Sequence, residues 1–390
     1  MSETAEPTSP QRLLLRAALG EGDAVERAWQ QWRAEIDFDD IDYASQRLVP
    51  LVRRNLIDHG VNDPLLHRMK GLHRFFWSKN QLRFRMLSTV AQAFAREEIP
   101  LMALKGVPLA LVYYADAGLR PMSDFDLLVP FADADRAVAL LLAEGWLQDE
   151  PGSIYRSAGV VDTEARHGAC FRKDDQECDL HWHLLYDGWW PEADAGLWER
   201  SVPLEVHQQQ LRAPSPADMI FHLLVHGATY NELPPFRWFA DLAILLRQED
   251  LPIDWSVLEE RARSLLLVGV VREMIEAFEV LVPGLLPREP LERLRALPVS
   301  RLERRELARR LWDEDYRYTP LGRWAQFRRR YPHAGIGGVL KHGPDFLKTV
   351  WGLESSWSLP STLLLQALPS YLGRLAGRPA GASASRATPR

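Results

Sequence analysis

Leu119-Arg120-Pro121-Met122-Ser123-Asp124-Phe125-Asp126-Leu127-Leu128-Val129 is the stretch on which the reading of this chain turns. Its second half, 125–129, is apolar except for Asp126 and reads as a short buried strand. Side chains two apart on a strand share a face, so Asp124 and Asp126 project together. Two carboxylates side by side repel each other, and burying them costs stability unless something compensates. A divalent cation does so, since Mg²⁺ takes one or two carboxylates plus substrate phosphates. The pair alone is weak evidence. The chain holds five Asp-x-Asp pairs, the others being Asp37/Asp39, Asp40/Asp42, Asp133/Asp135 and Asp313/Asp315. Two solvated carboxylates explain most such pairs, and the apolar strand singles out Asp124/Asp126.

Upstream, 99–104 reads as another buried strand, Lys105-Gly106 opens a helix running to about residue 114, and 115–121 is a loop. Downstream come a helix over 132–144 ending at Gly145 and two strands, 169–172 and 177–182, joined by a polar turn. On the second of these, Asp179 and His181 share a face. If it pairs beside 125–129, three carboxylates converge, and two metals about 3.5–4 Å apart could hold the attacking and leaving oxygens of an in-line displacement. Lys105 offers a point charge, and Gly106 a close backbone approach at a helix start. Arg120 offers a clamp for phosphate oxygens. Ser123 belongs with this phosphate-facing group.

The remainder is mostly helical, so the fold class expected is α+β: a small mixed-sheet core with helices on either side. The boundaries read as 1–10 disordered, 11–97 helical, 98–212 the α/β core, 213–375 helical and 376–390 a disordered tail. Leu48, Leu51, Val52 and Leu56 form one helical stripe, and Leu72, Phe75, Phe76 and Leu82 another. Ser215-Pro216 starts a helix, and others follow near 236–248, 254–267, 269–282 and 299–312. A net charge of −6 argues against a surface coated for indiscriminate nucleic-acid binding. Two cysteines, Cys170 and Cys178, exclude a disulfide framework. With no signal-like start and no long apolar run, the expectation is a cytoplasmic protein without membrane spans.

Leu104-Lys105-Gly106-Val107, Tyr113-Tyr114 and the 119–129 stretch together resemble the uncharacterised nucleotidyltransferase family of bacteria. That family belongs to the DNA polymerase beta-like superfamily and is similar to the abortive-infection nucleotidyltransferase toxins. Asp179-Leu180-His181-Trp182 matches the family's Asp-Leu-His-Trp segment, and His222, His226, Arg237-Trp238 and Asp241-Leu242 look like its helical half. The resemblance covers roughly 40–285. It implies that Asp124, Asp126 and Asp179 are catalytic metal ligands, with Mg²⁺ or alternatively Mn²⁺ as cofactor, and that Asp179 helps deprotonate an acceptor hydroxyl. It implies ATP or another nucleoside triphosphate as substrate, an acceptor that could be a tRNA, a protein or peptide, or a small molecule, and a partner antitoxin if the chain is a toxin. One departure stands out: Val107 follows Gly106 where superfamily members often carry Ser or Gly, and 17 residues separate Gly106 from Asp124. A glycosyltransferase using a nucleotide sugar also employs Asp-x-Asp, but it needs an α/β half before the motif, where this chain reads as helices. A non-catalytic nucleotide-binding scaffold is the third option.

Four other groups have both a bland and a functional reading. His181 and His183 would share a strand face, but no cysteine or further ligand completes a zinc site, and His181 reads as a substrate-cleft residue that lines the nucleotide site or hydrogen-bonds Asp179. His222 and His226 lie one helical turn apart without the glutamate of a zinc protease, and read as a packed pair facing the cleft. Arg237 and Asp241 are also one turn apart, and either pair with each other or line the substrate cleft. Trp182, Trp189 and Trp190 read as core or cleft wall.

Overall fold

The computed structural model of the protein describes residues 8–148, 163, 166–188, 190–229, 236–310 and 320–350. Its centre is a seven-stranded sheet of β1 (Met102–Leu104), β2 (Phe125–Leu128), β3 (Leu147–Gln148), β4 (Gly168–Lys173), β5 (Gln176–His181), β6 (Val202–Val206) and β7 (Gln209–Ala213). The spatial order is β3-β4-β5-β2-β1-β7-β6. β2 runs parallel to β5 and β1 parallel to β7, with antiparallel pairing elsewhere. The sheet is therefore mixed, and the α+β class expected from the sequence is the class observed. β2 is flanked on both sides, and all four of its residues are buried, which accounts for its near-continuous apolar run.

Two hairpins show how turn chemistry governs what a sequence reveals. β4 and β5 meet through Asp174 and Asp175, both left-handed at φ 47° and 59°. Asp tolerates that conformation, so the turn announces itself. β6 and β7 meet through His207 and Gln208 at φ 47° and 68°. These residues carry no turn signature, and the flanking strands hold Glu205, Gln209, Gln210 and Arg212, so the sequence gives no indication of this hairpin.

Four main helices precede the sheet: α1 (Ser9–Leu19), α2 (Asp23–Glu35), α3 (Val49–Asp58) and α4 (Leu66–Arg96). α1 begins inside the segment read as disordered, because Thr8 and Gln11 form a reciprocal capping box. α5 (Ala134–Ala143) follows β2, and α6 (Pro216–Thr229), α7 (Phe236–Leu246), α8 (Trp255–Ser264), α9 (Val268–Leu281), α10 (Arg288–Ala296) and α11 (Arg301–Arg310) follow the sheet. α10 went unrecognised in the sequence. Ser215 caps α6, its Oγ accepting from the Asp218 N–H at 3.2 Å. α1 packs on α2, α3 and α7, and Leu14, Trp29, Phe239 and Phe278 share one apolar cluster. Within one compact unit, helices from before and after the sheet thus build a single core.

The α3 stripe (Leu48, Leu51, Val52, Leu56) is buried throughout. The stripe assigned to α4 is not: Phe76 is buried, but Phe75 and Leu82 are each 53% exposed. The inward face of α4 runs instead through Phe76, Asn80, Arg83, Phe84 and Leu87. Two polar residues on that face hid it from an apolar count.

The chain divides into two compact units, residues 1–151 with 166–314, and residues 152–165 with 315–390. In the second, α12 (Pro320–Arg330) and α13 (Ile336–Val350) gather around Phe327, whose ring lies 5.5, 5.1 and 5.4 Å from those of Trp324, Tyr331 and Phe346. Trp189, Asp313, Asp315 and the tail from 376 lie outside the described residues. Among the described residues no helix is long and apolar enough to cross a membrane.

Candidate active site

The parallel pairing of β2 with β5 sets Asp126 directly opposite Asp179, while β1 sets Leu104 opposite Asp126 on the other side. Lys105, the residue after β1, takes a left-handed φ of 49°, uncommon for a non-glycine. Its Nζ makes a close ion pair with Asp126 Oδ1. His181 Nε2 lies 3.4 Å from the same oxygen. One ligand atom each from Asp126, Asp179 and His181 lies within 4.8 Å of the others. Asp124 sits half-buried one residue before β2 and accepts from Ser123 Oγ at 3.2 Å.

The remaining Asp-x-Asp pairs have ordinary roles where they are described. Asp37 and Asp42 cap helical turns, Asp39 pairs with Arg68, and Asp133 pairs with Arg136.

Burial by itself would raise the proton affinity of Asp126. The Lys105 charge, followed by His181, outweighs it and holds the Asp126 carboxyl far below the usual range. Asp179 goes the other way: burial raises its pKa, and the charges of Asp126 and Asp124 raise it further, only partly offset by His181 and Lys105. Two carboxylates, Asp126 and Asp179, thus share the cluster with a single ammonium, that of Lys105.

That imbalance is the test of fit for a divalent cation. Hard carboxylate oxygens from Asp126 and Asp179, with Asp124 two residues ahead, are the donors Mg²⁺ or Mn²⁺ accepts, and an imidazole at His181 suits Mn²⁺ as well. The residues present fit such an ion.

Cys178 precedes Asp179 and faces away from it into the core. Burial, then the charges of Asp179 and Asp126, push its thiol well above the ordinary value. Iodoacetamide at neutral pH should therefore label Cys170 in the native protein and reach Cys178 only on unfolding. Mass spectrometry showing equal native labelling would contradict this burial.

Residues 43–281, more than half of the 390-residue chain, match the family described as "Uncharacterised nucleotidyltransferase". The chain belongs to this family. Two solved structures are similar at 14% identity: the antibiotic-resistance factor ANT(2'')-Ia, with 51% of this chain and 96% of that one covered at a TM-score of 0.33, and an antigenic nucleotidyltransferase-like protein from Paracoccidioides brasiliensis, with 50% and 91% covered at 0.31. No curated protein matches.

Several residues of this family member take positions other than the sequence suggested. Arg120 is buried and gives its Nε and Nη2 hydrogens to the two oxygens of Asp241 at 2.9 and 2.8 Å. Tyr114 Oη also donates to Asp241, at 2.8 Å. Arg120 is thus committed to Asp241 and not open to phosphate. Asp241, fully buried, neither lines a cleft nor pairs with Arg237. The segment from Gly106 is one α-helical turn, Gly106–Pro108, running on as a π-helix over Leu109–Tyr113, with Tyr114 at its end. A Cβ on Gly106 would meet Met122 Sδ at 2.7 Å, so here glycine permits loop packing. His183 lies beyond the end of β5, bonded to Asp194 at 3.0 Å and stacked on Phe131, outside the carboxylate cluster.

His222 is buried, and His226 packs between it and Trp238, with ring centroids at 5.6 and 4.8 Å. Burial, then the Lys105 charge, lowers the pKa of both far below the usual imidazole value, so both are neutral at physiological pH. Arg237 is half-buried over the Trp238 ring at 5.8 Å.

Sequence reasoning missed the residues that hold the loop before Asp124. Asn80 donates to the carbonyls of Ala117 (2.6 Å) and Arg120 (2.9 Å) and accepts from Met122 N–H at 3.3 Å. Arg83 donates to Ser123 O at 2.8 Å and Arg47 to Pro121 O at 3.1 Å. The available signal was polar residues at helical spacing among Phe76, Phe84 and Leu87.

Proposed function

We propose that this protein transfers a nucleoside monophosphate from a nucleoside triphosphate to an acceptor hydroxyl, with release of pyrophosphate, in the manner of polymerase beta-like enzymes. The observation that carries the reading is the register setting Asp126 opposite Asp179, with Asp124 two residues ahead, in a chain of a nucleotidyltransferase family. Asp124, Asp126 and Asp179 would hold Mg²⁺ or Mn²⁺, which when bound supplies charge neutralisation at the reacting phosphate and the leaving oxygen. Lys105 and His181 keep Asp126 ionised and oriented. Asp179, the carboxylate with raised proton affinity, takes the proton from the acceptor hydroxyl. His222 and His226, both neutral, line the site without adding charge against the cation. The chain's own contribution is positioning and a preorganised field rather than a covalent intermediate. A tRNA end, a protein or peptide side chain and a small metabolite all present the hydroxyl this chemistry needs. A toxin role would add a neutralising partner, testable by co-purification. Nucleotide-sugar transfer and a non-catalytic scaffold have no observation in their favour.

Incubation with Mg²⁺ and alpha- or gamma-labelled triphosphate tests the reading. Label should reach the acceptor from the alpha position only. Transfer of the gamma label, or activity surviving Asp126→Ala, would refute it.

A further inference from the structure

Two arginines from separate elements, Arg47 and Arg83, converge on the segment that leads into Asp124, and a third, Arg237, lies on the helix that anchors this segment through Asp241. Arg47, just after the short helix Tyr43–Gln46, reaches Pro121 O, and its Nε is buried without a partner. Arg83 of α4 is 9% exposed and reaches Ser123 O; its Nε and Nη1 are buried without partners. Arg237 of α7, whose Nη1 is likewise buried and partnerless, sits one helical turn from Asp241, the residue that ties Arg120 and Pro121 to the same helix. None of the three forms a salt bridge among the described residues. The carboxylate that could have served, Asp241, is taken by Arg120 at both oxygens.

Charge coupling agrees with this convergence. The Asp124 carboxylate acts on all three guanidiniums, and Arg47 acts repulsively on Arg237. Buried guanidinium donors left unmade are costly, and arginines gathered without carboxylates suit an anion with several oxygens. Asp124 joins this cationic group to the carboxylates opposite. Carboxylates thus gather at Asp126 and Asp179, and arginines without an ion pair gather at the segment leading into Asp124.

We propose that Arg47, Arg83 and Arg237 bind the β- and γ-phosphates of the nucleoside triphosphate, and the pyrophosphate product after transfer. This rests on the transferase reading above for its substrate. It moves phosphate recognition from Arg120, which the fold employs elsewhere, to residues contributed by α4, α7 and the turn before α3. Guanidinium forks match phosphate oxygens, and Arg83 and Arg47 are already fixed by their bonds to the backbone, so little side-chain freedom is lost on binding.

The test is calorimetric titration of the full-length protein with inorganic tripolyphosphate in EDTA, a probe needing neither a base nor a metal. Wild type should bind one equivalent, more weakly as salt rises. Arg83→Gln and Arg237→Gln should each weaken binding about tenfold or more, the scale of one charge-assisted hydrogen bond. No hydrogen bond of Arg237 is found among the described residues, so Arg237→Gln carries the test should Arg83→Gln not fold. Absence of tripolyphosphate binding to wild type, or arginine variants binding within twofold of it, overturns the proposal. Arginine-dependent binding in a protein that transfers no alpha label would instead leave the polyphosphate site standing and sink the transferase reading.

Discussion

Asp126→Asn and Asp179→Asn are each expected to abolish nucleotidyl transfer while moving the stability of the metal-free protein in opposite directions. Both remove a charged ligand, and losing several kcal/mol of transition-state stabilisation lowers kcat by about 10²–10⁴-fold. Their electrostatic settings differ. Asp126 is stabilised as an anion by Lys105 and His181, so its folded pKa lies below the unfolded one. Its contribution is present above the unfolded value of about 3.9 and disappears as pH falls toward the folded value. Neutralising it by mutation leaves the Lys105 ammonium buried and unpaired, which costs about 3–5 kcal/mol for a buried pair. Asp179 has a raised folded pKa, from burial and from Asp126 and Asp124, so ionising it at neutral pH works against folding. Replacing it with Asn removes that repulsion, and the melting temperature should rise by about 2 °C or more. Thermal unfolding of both variants with and without Mg²⁺ checks the pair. Wild type alone should gain stability from the ion. A fall in melting temperature for Asp179→Asn would mean that its carboxylate is not in excess.

The sequence exposed this site wherever a residue's neighbours obey a simple period. β2 reads as a strand because it is short and mostly apolar, and β5 because it alternates, which places Asp179 and His181 on one face and Cys178 and Leu180 on the other. The fold class followed from the same pattern. Long-range pairing left no such trace. Nothing local to Arg120 says that its partner lies 121 residues away in α7, and the correct spacing of Arg237 to Asp241 pointed to a pairing the fold does not make. Asn80 and Arg83 were invisible because an apolar stripe is counted by its apolar members. The β6–β7 hairpin hid behind His207-Gln208, a turn in which two side chains without glycine's freedom hold positive φ.

The same buried pairing gives the second large effect. Arg120→Ala and Asp241→Ala should each destabilise the protein by about 3–5 kcal/mol, since either leaves a charge uncompensated in the interior. Asp241 is fully buried and accepts three hydrogen bonds, two from Arg120 and one from Tyr114, so its loss strands a guanidinium and a phenol together. Tyr114 cannot make up the lost charge, because burial, the largest cause of its raised pKa, remains when Asp241 is gone. The pair replaced together by apolar residues should be less damaging than the sum of the single changes, with a coupling of about 1–3 kcal/mol in a double-mutant cycle. Urea unfolding of the four proteins measures it. A phosphate clamp would behave differently: Arg120→Ala would leave stability within about 0.5 kcal/mol of wild type and raise KM for the triphosphate. The network ties the loop before Asp124 to α7, so its loss should lower kcat by displacing the carboxylates, even at saturating nucleotide.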